Sequence, residues 1–285
     1  MFFWKINSAG NDFIIINNIK EKIHEAKFPA MARKLCERHL SIGGDGLIAI
    51  EKPTDSSADI TMRIFNPDGS EAEMCGNGLR CIARCAWEEK LAGDLIRVHT
   101  IAGYAEVERL SPREYKIKLQ KPSNLKPEAV VSVNGREYLC IYVEVGNPGA
   151  PHIVVPVKRL NEIGRDILFV DGRSLRYHHS FPKGVNVNFC EVIDENTVDL
   201  LTYERGVEDF TYACGTGSGS TALILRLLNM VKSDTVTVKV PGGVFKAELI
   251  KENNASVNVE DIEIRLTGDT NIVFRGEAAD EDFVL

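Results

Sequence analysis

The chain has no Cys-x-x-Cys pair, no long apolar run and no excess of cationic side chains. Without Cys-x-x-Cys, the ligand spacing of a structural zinc site is missing. Apolar runs such as Phe13–Ile16 and Ala222–Leu225 are far shorter than the about 20 residues of a membrane span. Lys and Arg number 34 against 41 Asp and Glu, a net charge of −7. A sequence-independent grip on nucleic acid needs clustered cations and is not expected. Met1-Phe2-Phe3-Trp4-Lys5 meets a charge before any long apolar run, and no signal peptide is read from it. No P-loop is present, and Gly215-Thr216-Gly217-Ser218-Gly219 fails GxGxxG, because residue 220 is Ser, as well as GxSxG. These absences point to a cytoplasmic protein with no membrane or nucleic-acid partner, no metal and no cofactor.

The 285 residues are 44% apolar and 26% charged, an ordinary globular composition. At about 150 residues per domain this length implies roughly two domains. Each is large enough to build a core without disulfides. Cysteines stand at 36, 75, 81, 85, 140, 190 and 214. An odd number without a secretion signal reads as free thiols in a reducing compartment. Cys81 and Cys85, four apart on one helix face, read as small buried apolar residues.

The chain repeats itself once. Met74-Cys75-Gly76-Asn77-Gly78 and Ala213-Cys214-Gly215-Thr216-Gly217 share the pattern apolar-Cys-Gly-x-Gly at an offset of 139. The same offset places Arg63–Asn66 on Thr202–Arg205, Gly10–Ile14 on Gly149–Ile153 and Thr100–Gly103 on Lys239–Gly242. A slip to 140 aligns Arg33, Leu35, His39 and Gly44 with Arg173, Leu175, His179 and Gly184. Each half opens with an apolar strand (Phe13–Ile16; Ile153–Val157). In the first half a helix is expected over about Ala30–His39, stopped at Gly43-Gly44. Strands at Ile60–Phe65 and Val198–Tyr203 then lead into the two Cys-Gly-x-Gly loops. After the first loop, Leu79, Ile82, Ala83 and Ala86 repeat as an amphipathic helix. After the second, Thr221–Leu228 is apolar all round except Arg226, the mark of a buried helix. Closing strands are read at Arg97–Glu108 and Tyr115–Leu119, and at Thr235–Leu249 and Ile262–Leu266. The expected fold is α/β (α+β): two related halves, each a curved, barrel-like, mainly antiparallel sheet wrapped around a central helix. Lys121–Pro127 reads as the linker, with halves 1–121 and 122–269.

A cysteine just before a helix meets the N–H groups of the first turn, which stabilise a thiolate. The same groups can hold a carboxylate, and glycine lets the backbone come close to it. Two such loops at symmetric positions suit a particular reaction. If the halves face one another, one thiolate can remove an α-proton while the opposite thiol delivers one. That is amino-acid racemisation without a cofactor.

These motifs resemble the diaminopimelate epimerase family over almost the whole chain. The resemblance rests on Ala9–Phe13, Gly44–Leu47, Arg63–Arg80, Gly184–Val187 and Tyr203–Gly217. It implies two pseudo-symmetric halves with the active site between them, and a final strand, near Asn271–Gly276, that returns residues 270–285 to the first half. By resemblance, Cys75 and Cys214 are the catalytic base and acid. Gly76, Asn77, Gly215 and Thr216 hold the α-carboxylate through their backbone. Asn11, Asn66, Asn186, Glu204 and Arg205 contact substrate. A guanidinium at Arg205 suits the distal carboxylate of a diacid, and Glu204 suits an ammonium. The implied activity interconverts LL- and meso-diaminopimelate in lysine and peptidoglycan precursor synthesis, with a small amino acid as partner and a homodimer as the assembly. Three departures stand out: Ala150 where the family has Asn, with Asn147 as a possible substitute; Asn7-Ser8-Ala9 in place of a His/Gly-rich stretch; and Gly46, which is Gln in some members. Racemisation of another amino acid, such as histidine, is the alternative. A dehydratase of the same fold is less favoured because its second cysteine is usually Thr.

Overall fold

The structure, a computed structural model, describes residues 1–146, 149–251 and 258–279. The chain divides into two compact units, residues 1–117 with 268–285, and residues 118–267. Unit 1 contains β1 (Phe2–Ser8), β2 (Asn11–Asn17), α1 (Asn18–Glu21), α2 (Phe28–Leu35), β3 (Gly46–Glu51), β4 (Ile60–Phe65), β5 (Glu71–Ala72), α3 (Gly76–Glu88), β6 (Leu95–Thr100), β7 (Gly103–Arg109) and β8 (Glu114–Lys118). Unit 2 contains β9 (Pro122–Ser123), β10 (Ala129–Val133), β11 (Arg136–Gly146), β12 (Gly149–Pro156), α4 (Arg165–Arg176), β13 (Asn186–Val192), β14 (Thr197–Glu204), β15 (Asp209–Phe210), α5 (Gly215–Leu227), β16 (Thr235–Val240), β17 (Gly243–Lys251) and β18 (Ile262–Asp269). The last strand, β19 (Asn271–Glu277), pairs antiparallel with β1 in unit 1. Among the described residues no helix is long and apolar enough to cross a membrane.

The repeat seen in the sequence is a repeat of topology. In unit 1 the ladder runs β1–β2 antiparallel, β2–β3 parallel, β3–β4 antiparallel, β4–β6 parallel and β6–β7 antiparallel. Unit 2 follows the same order through β11, β12, β13, β14, β16 and β17. In each unit one helix sits against most of these strands. α3 packs on β1, β2, β3, β4, β6 and β7, and α5 on β11, β12, β13, β14, β16 and β17. A second helix covers the other side of the sheet, α2 against β3 and β4, α4 against β13 and β14. Strands covered on both faces bury every residue, which is why Ile14–Ile16 and Leu47–Ile50 are continuous apolar runs rather than alternating ones. Among the described residues both ladders stay open: the strands wrap around their helix without closing into a barrel.

Three local expectations change. The helix expected over Ala30–His39 runs from Phe28 to Leu35, with Pro29 in its first turn. It stops early because the chain folds back, Gly43 N–H donating to Leu35 O and Gly44 N–H to Cys36 O. α3 is more than amphipathic: Asn77–Ala83, Cys85 and Ala86 are all buried, Arg80 among them. The last anchor of the repeat slips by one. Gly103 and Gly243, at φ 107° and 152°, open β7 and β17, so this turn repeats at 140. The stretch 121–127 is held within unit 2, where β9 pairs with β11 and Lys126 N–H donates to Tyr142 O.

Candidate active site

Cys75 and Cys214 occupy the same structural position. Each is the extended N-cap of its helix, at φ −143° for Cys75 and −119° for Cys214. Each Sγ accepts a hydrogen bond from the third helical N–H, Gly78 at 3.4 Å and Gly217 at 3.3 Å. The first two N–H groups of each helix, at Gly76 and Asn77 and at Gly215 and Thr216, lie where intrahelical acceptors are absent. A thiol capping a helix this way has its anion favoured by the same dipoles that favour a bound carboxylate.

Beneath the Cys75 loop lies a polar network. The Asn77 amide donates to Asn11 Oδ1, and its own Oδ1 accepts from Arg80 Nη2. Asn11 Nδ2 donates to Asp45 Oδ2 at 3.1 Å, and the Asp45 carboxylate also accepts from Asp12 N–H at 3.1 Å and Arg38 Nη2 at 2.8 Å. Asp12 pairs in turn with Lys5 at 2.7 Å. Burial alone would raise the Asp12 carboxyl, but hydrogen bonds from Arg38 and Lys5 hold it below the usual range. Arg80 is fully buried; its Nε donates to Ser8 Oγ at 3.1 Å, and Ser8 donates to the Asp269 carbonyl at 2.7 Å. Burial lowers the Arg80 guanidinium to about 10, so it stays charged at neutral pH.

The Cys214 loop rests on a different chain. Thr216 Oγ1 lies 3.6 Å from Cys214 Sγ and 3.1 Å from His152 Nε2. His152 Nδ1 is 3.2 Å from Asn188 Nδ2, which also donates to Ile153 O at 3.0 Å, while Asn188 Oδ1 accepts from Thr202 at 3.0 Å. An amide nitrogen only donates, so His152 Nδ1 is the acceptor and Nε2 carries the hydrogen toward Thr216. The Thr216 hydroxyl also meets the Cys214 sulfur, and either can be the donor in that contact. Burial first, and Arg205 second, lower His152 to about 3, so the imidazole is neutral.

The remaining residues singled out in the sequence divide. Asn186, Glu204 and Arg205 come together: Asn186 Oδ1 accepts from Arg205 N–H at 2.9 Å, and its amide donates to Pro151 O at 3.0 Å. Burial raises the Glu204 carboxyl, partly opposed by the Thr211 hydroxyl donating at 2.8 Å. The Arg205 head is exposed and donates to Lys183 O at 3.2 Å. Asn66 stays in its own β4–β5 turn, its amide donating to Ser70 Oγ at 3.0 Å. Gly46 is enclosed, since a Cβ there would meet Phe65 O at 3.1 Å. Ala150 pairs with Val145 between β12 and β11, and Asn147 lies outside the described residues.

The other cysteines are inert by environment. Cys36, Cys81, Cys85, Cys140 and Cys190 are buried free thiols. Burial raises all five, Cys36 to about 11 and Cys140 to about 12. Among the described residues no group of three or more His, Cys, Asp or Glu is placed to hold a metal ion.

Sequence reasoning passed over Arg80, Ser8, Asp45, Asn188 and the role of His152. Their signal was available but weak. Arg80 falls within the buried stripe of α3, and Asn188 follows Asn186 by two in a strand buried on both faces.

The diaminopimelate epimerase family profile matches residues 3–121 and 143–267. A protein named diaminopimelate epimerase from Aquifex aeolicus is 38% identical over 291 residues, covering 99% of each chain. One of the same name from Archaeoglobus fulgidus is 38% identical over 262 residues, covering 88% of this chain and 90% of its own. Among solved structures, a Bacillus anthracis phenazine biosynthesis protein of the PhzF family superposes with a TM-score of 0.73 at 17% identity, covering 98% of this chain and 99% of that one. A probable proline racemase from Agrobacterium radiobacter reaches 0.67 at 16% identity, covering 99% and 94%. At these identities the two structures speak to the fold alone.

Proposed function

The chain belongs to the diaminopimelate epimerase family, and from that premise we propose that it interconverts LL- and meso-diaminopimelate by proton transfer between Cys75 and Cys214. The observation that carries this reading is the pair of cysteines capping the matched helices α3 and α5. In one direction a thiolate takes the α-proton: the Cα–H bond breaks, an S–H bond forms, and the electron pair spreads into the carboxylate. The other thiol then gives its proton to the opposite face of Cα and is left as the thiolate. The two sulfurs exchange roles for the reverse reaction. Helix N–H groups at Gly76, Asn77, Gly215 and Thr216 stabilise the charge gathering on the carboxylate; one such donor is worth roughly 3 kcal/mol in this kind of step.

Asn11, Asn66 and Asn186 contact the substrate, Glu204 takes an ammonium and Arg205 the distal carboxylate. The reading requires no cofactor. It also takes the enzyme to be cytoplasmic and a homodimer, the commonest closed assembly. Ala150, where the family has Asn, supports a second reading, racemisation of another amino acid such as histidine by the same pair of thiols. Incubation in D₂O without pyridoxal phosphate or metal separates the two. Deuterium entering the α-position of LL-diaminopimelate supports the first. Exchange into another amino acid with none into diaminopimelate would replace it by the second.

A further inference from the structure

The two helix caps match in backbone but not in charge. Arg80 lies five residues beyond Cys75 on α3, is wholly buried, and holds Asn77, in the first turn of the helix, by its side-chain oxygen. Its second anchor, Ser8, is itself fixed to the Asp269 carbonyl. The guanidinium is therefore a fixed charge at the start of α3 and not a mobile surface group. Cys81, Cys75 and Asp269 are among the ionisable groups that act on it. Burial pushes the neighbouring Cys81 thiol well up, which keeps it neutral. The Asp269 carboxylate pairs with Arg113 at 3.1 Å, and Asp12 is shared between Lys5 and Arg38. A thiolate at Cys75 and the Arg80 charge stabilise one another.

At the repeat offset of 139, the position of Arg80 falls on Gly219. A Cβ there would meet Leu119 Cδ1 at 2.6 Å and Ile264 Cγ2 at 3.2 Å, so α5 has no room for a side chain at that point. The polar group that reaches the second loop instead is His152, through Thr216, and it is neutral.

We propose that Arg80 is a positioning residue and the resident counter-cation of the Cys75 cap, which makes Cys75 the resting thiolate while Cys214 rests as the thiol. The inference deepens the two-thiol reading of the site and rests on it. A buried cation lowers the pKa of a nearby thiol, and the charged form is the one that reacts with alkylating agents.

The test is iodoacetamide labelling of the full-length protein without substrate, from about pH 5 to about pH 10, with Cys75 and Cys214 peptides quantified separately by mass spectrometry. Cys75 is expected to show the lower midpoint in the unaltered protein. Arg80→Met is expected to raise that midpoint by about one pH unit, roughly tenfold less thiolate at neutral pH, and to leave Cys214 where it was. Arg80→Lys, which keeps the charge, is expected to restore most of the shift. Equal midpoints, a lower one for Cys214, or a Cys75 midpoint indifferent to Arg80→Met would overturn the assignment. If Arg80→Met does not fold, the order in the unaltered protein and the Arg80→Lys titration still decide. Because no substrate is present, failure of the epimerase reading in the D₂O assay is scored independently of this result.

Discussion

The two halves build one backbone device twice and support it with opposite chemistry. In unit 1, the loop residue after the glycine is Asn77, and Asn11 of β2 bonds to it. In unit 2 the matching residues are Thr216 and Ala150, and a methyl group makes no such bond. The role passes to His152, at the strand position that Phe13 fills in unit 1. One strand further, Ile48 and Asn188 correspond. An apolar contact under Gly78 is thus replaced by an amide under Gly217. Unit 1 holds its cap with a buried cation, unit 2 with a neutral relay. A duplicated fold repeats the geometry of the cap while leaving each thiol its own electrostatic setting.

The largest effect expected comes from removing what the halves share. Cys75→Ala and Cys214→Ala, made separately, should each lower epimerisation by about two to four orders of magnitude. If either variant kept near-normal turnover, the symmetry of the caps would have no catalytic meaning and a one-base route would replace it.

The next contrast is between matched glycines. A Cβ at Gly217 would stand 2.4 Å from Asn188 Oδ1 and 3.2 Å from Cys214 Sγ; at Gly78 the contacts are Ile48 Cδ1 at 3.2 Å and Ile64 Cδ1 at 3.3 Å. Methyl ends give way more readily than an amide fixed by Thr202, His152 and Ile153. Gly217→Ala should therefore cost about 1–3 kcal/mol in thermal or urea unfolding, and Gly78→Ala less. Equal losses would mean that the Asn188 network is softer than its hydrogen bonds imply.

Thr202→Val probes that network one step further out. It removes the donor to Asn188 Oδ1 while nearly keeping shape, leaving a buried acceptor unsatisfied at about 1–3 kcal/mol. The strand register puts Ile64 at the matched position of unit 1; the adjacent residue, Arg63, lies on the other face, where its guanidinium pairs with Glu71 at 2.7 Å near the surface. Arg63→Met should cost under about 1 kcal/mol. A reversal of that order in urea unfolding would place the stability of the sheet in its outer ion pairs.

Much of this was legible in the sequence. The offset of 139 between the Cys-Gly-x-Gly loops held for α3 and α5 residue by residue, because helix caps tolerate no slip. Loops absorbed the insertions, which is why the offset drifts to 140 at Gly103 and Gly243. The positions that differ between the halves were harder to read. Hydrophobic periodicity cannot show that Arg80 is buried, since an arginine in a helix ordinarily points to solvent. Nor can a pattern show that Ile48 and Asn188 occupy one place, because their chemistry differs and only the register relates them. Asn66 is the reverse case: Asn66-Pro67-Asp68-Gly69 has the composition of a turn, and the chain turns there, Gly69 N–H donating to Asn66 O.

The subtlest expected difference is in acid. His152 is held neutral, lowered from 6.5 to about 3, while Arg80 at about 10 stays charged throughout the acid range. Above about pH 6.5 the imidazole is neutral in the folded and unfolded chains alike, and its burial carries no proton penalty. As pH falls from there toward 3, the unfolded chain takes up a proton that the folded chain refuses, and stability is lost. Arg80 binds the same proton in both states over this window and contributes no slope. His152→Gln, which still presents a donor toward Thr216, should be less stable than the unaltered protein at neutral pH. That gap should narrow steadily as melts are repeated toward about pH 4. A gap constant with pH would mean that His152 titrates in the folded chain as freely as in the unfolded one. The relay under Cys214 could then carry charge just as the support under Cys75 does.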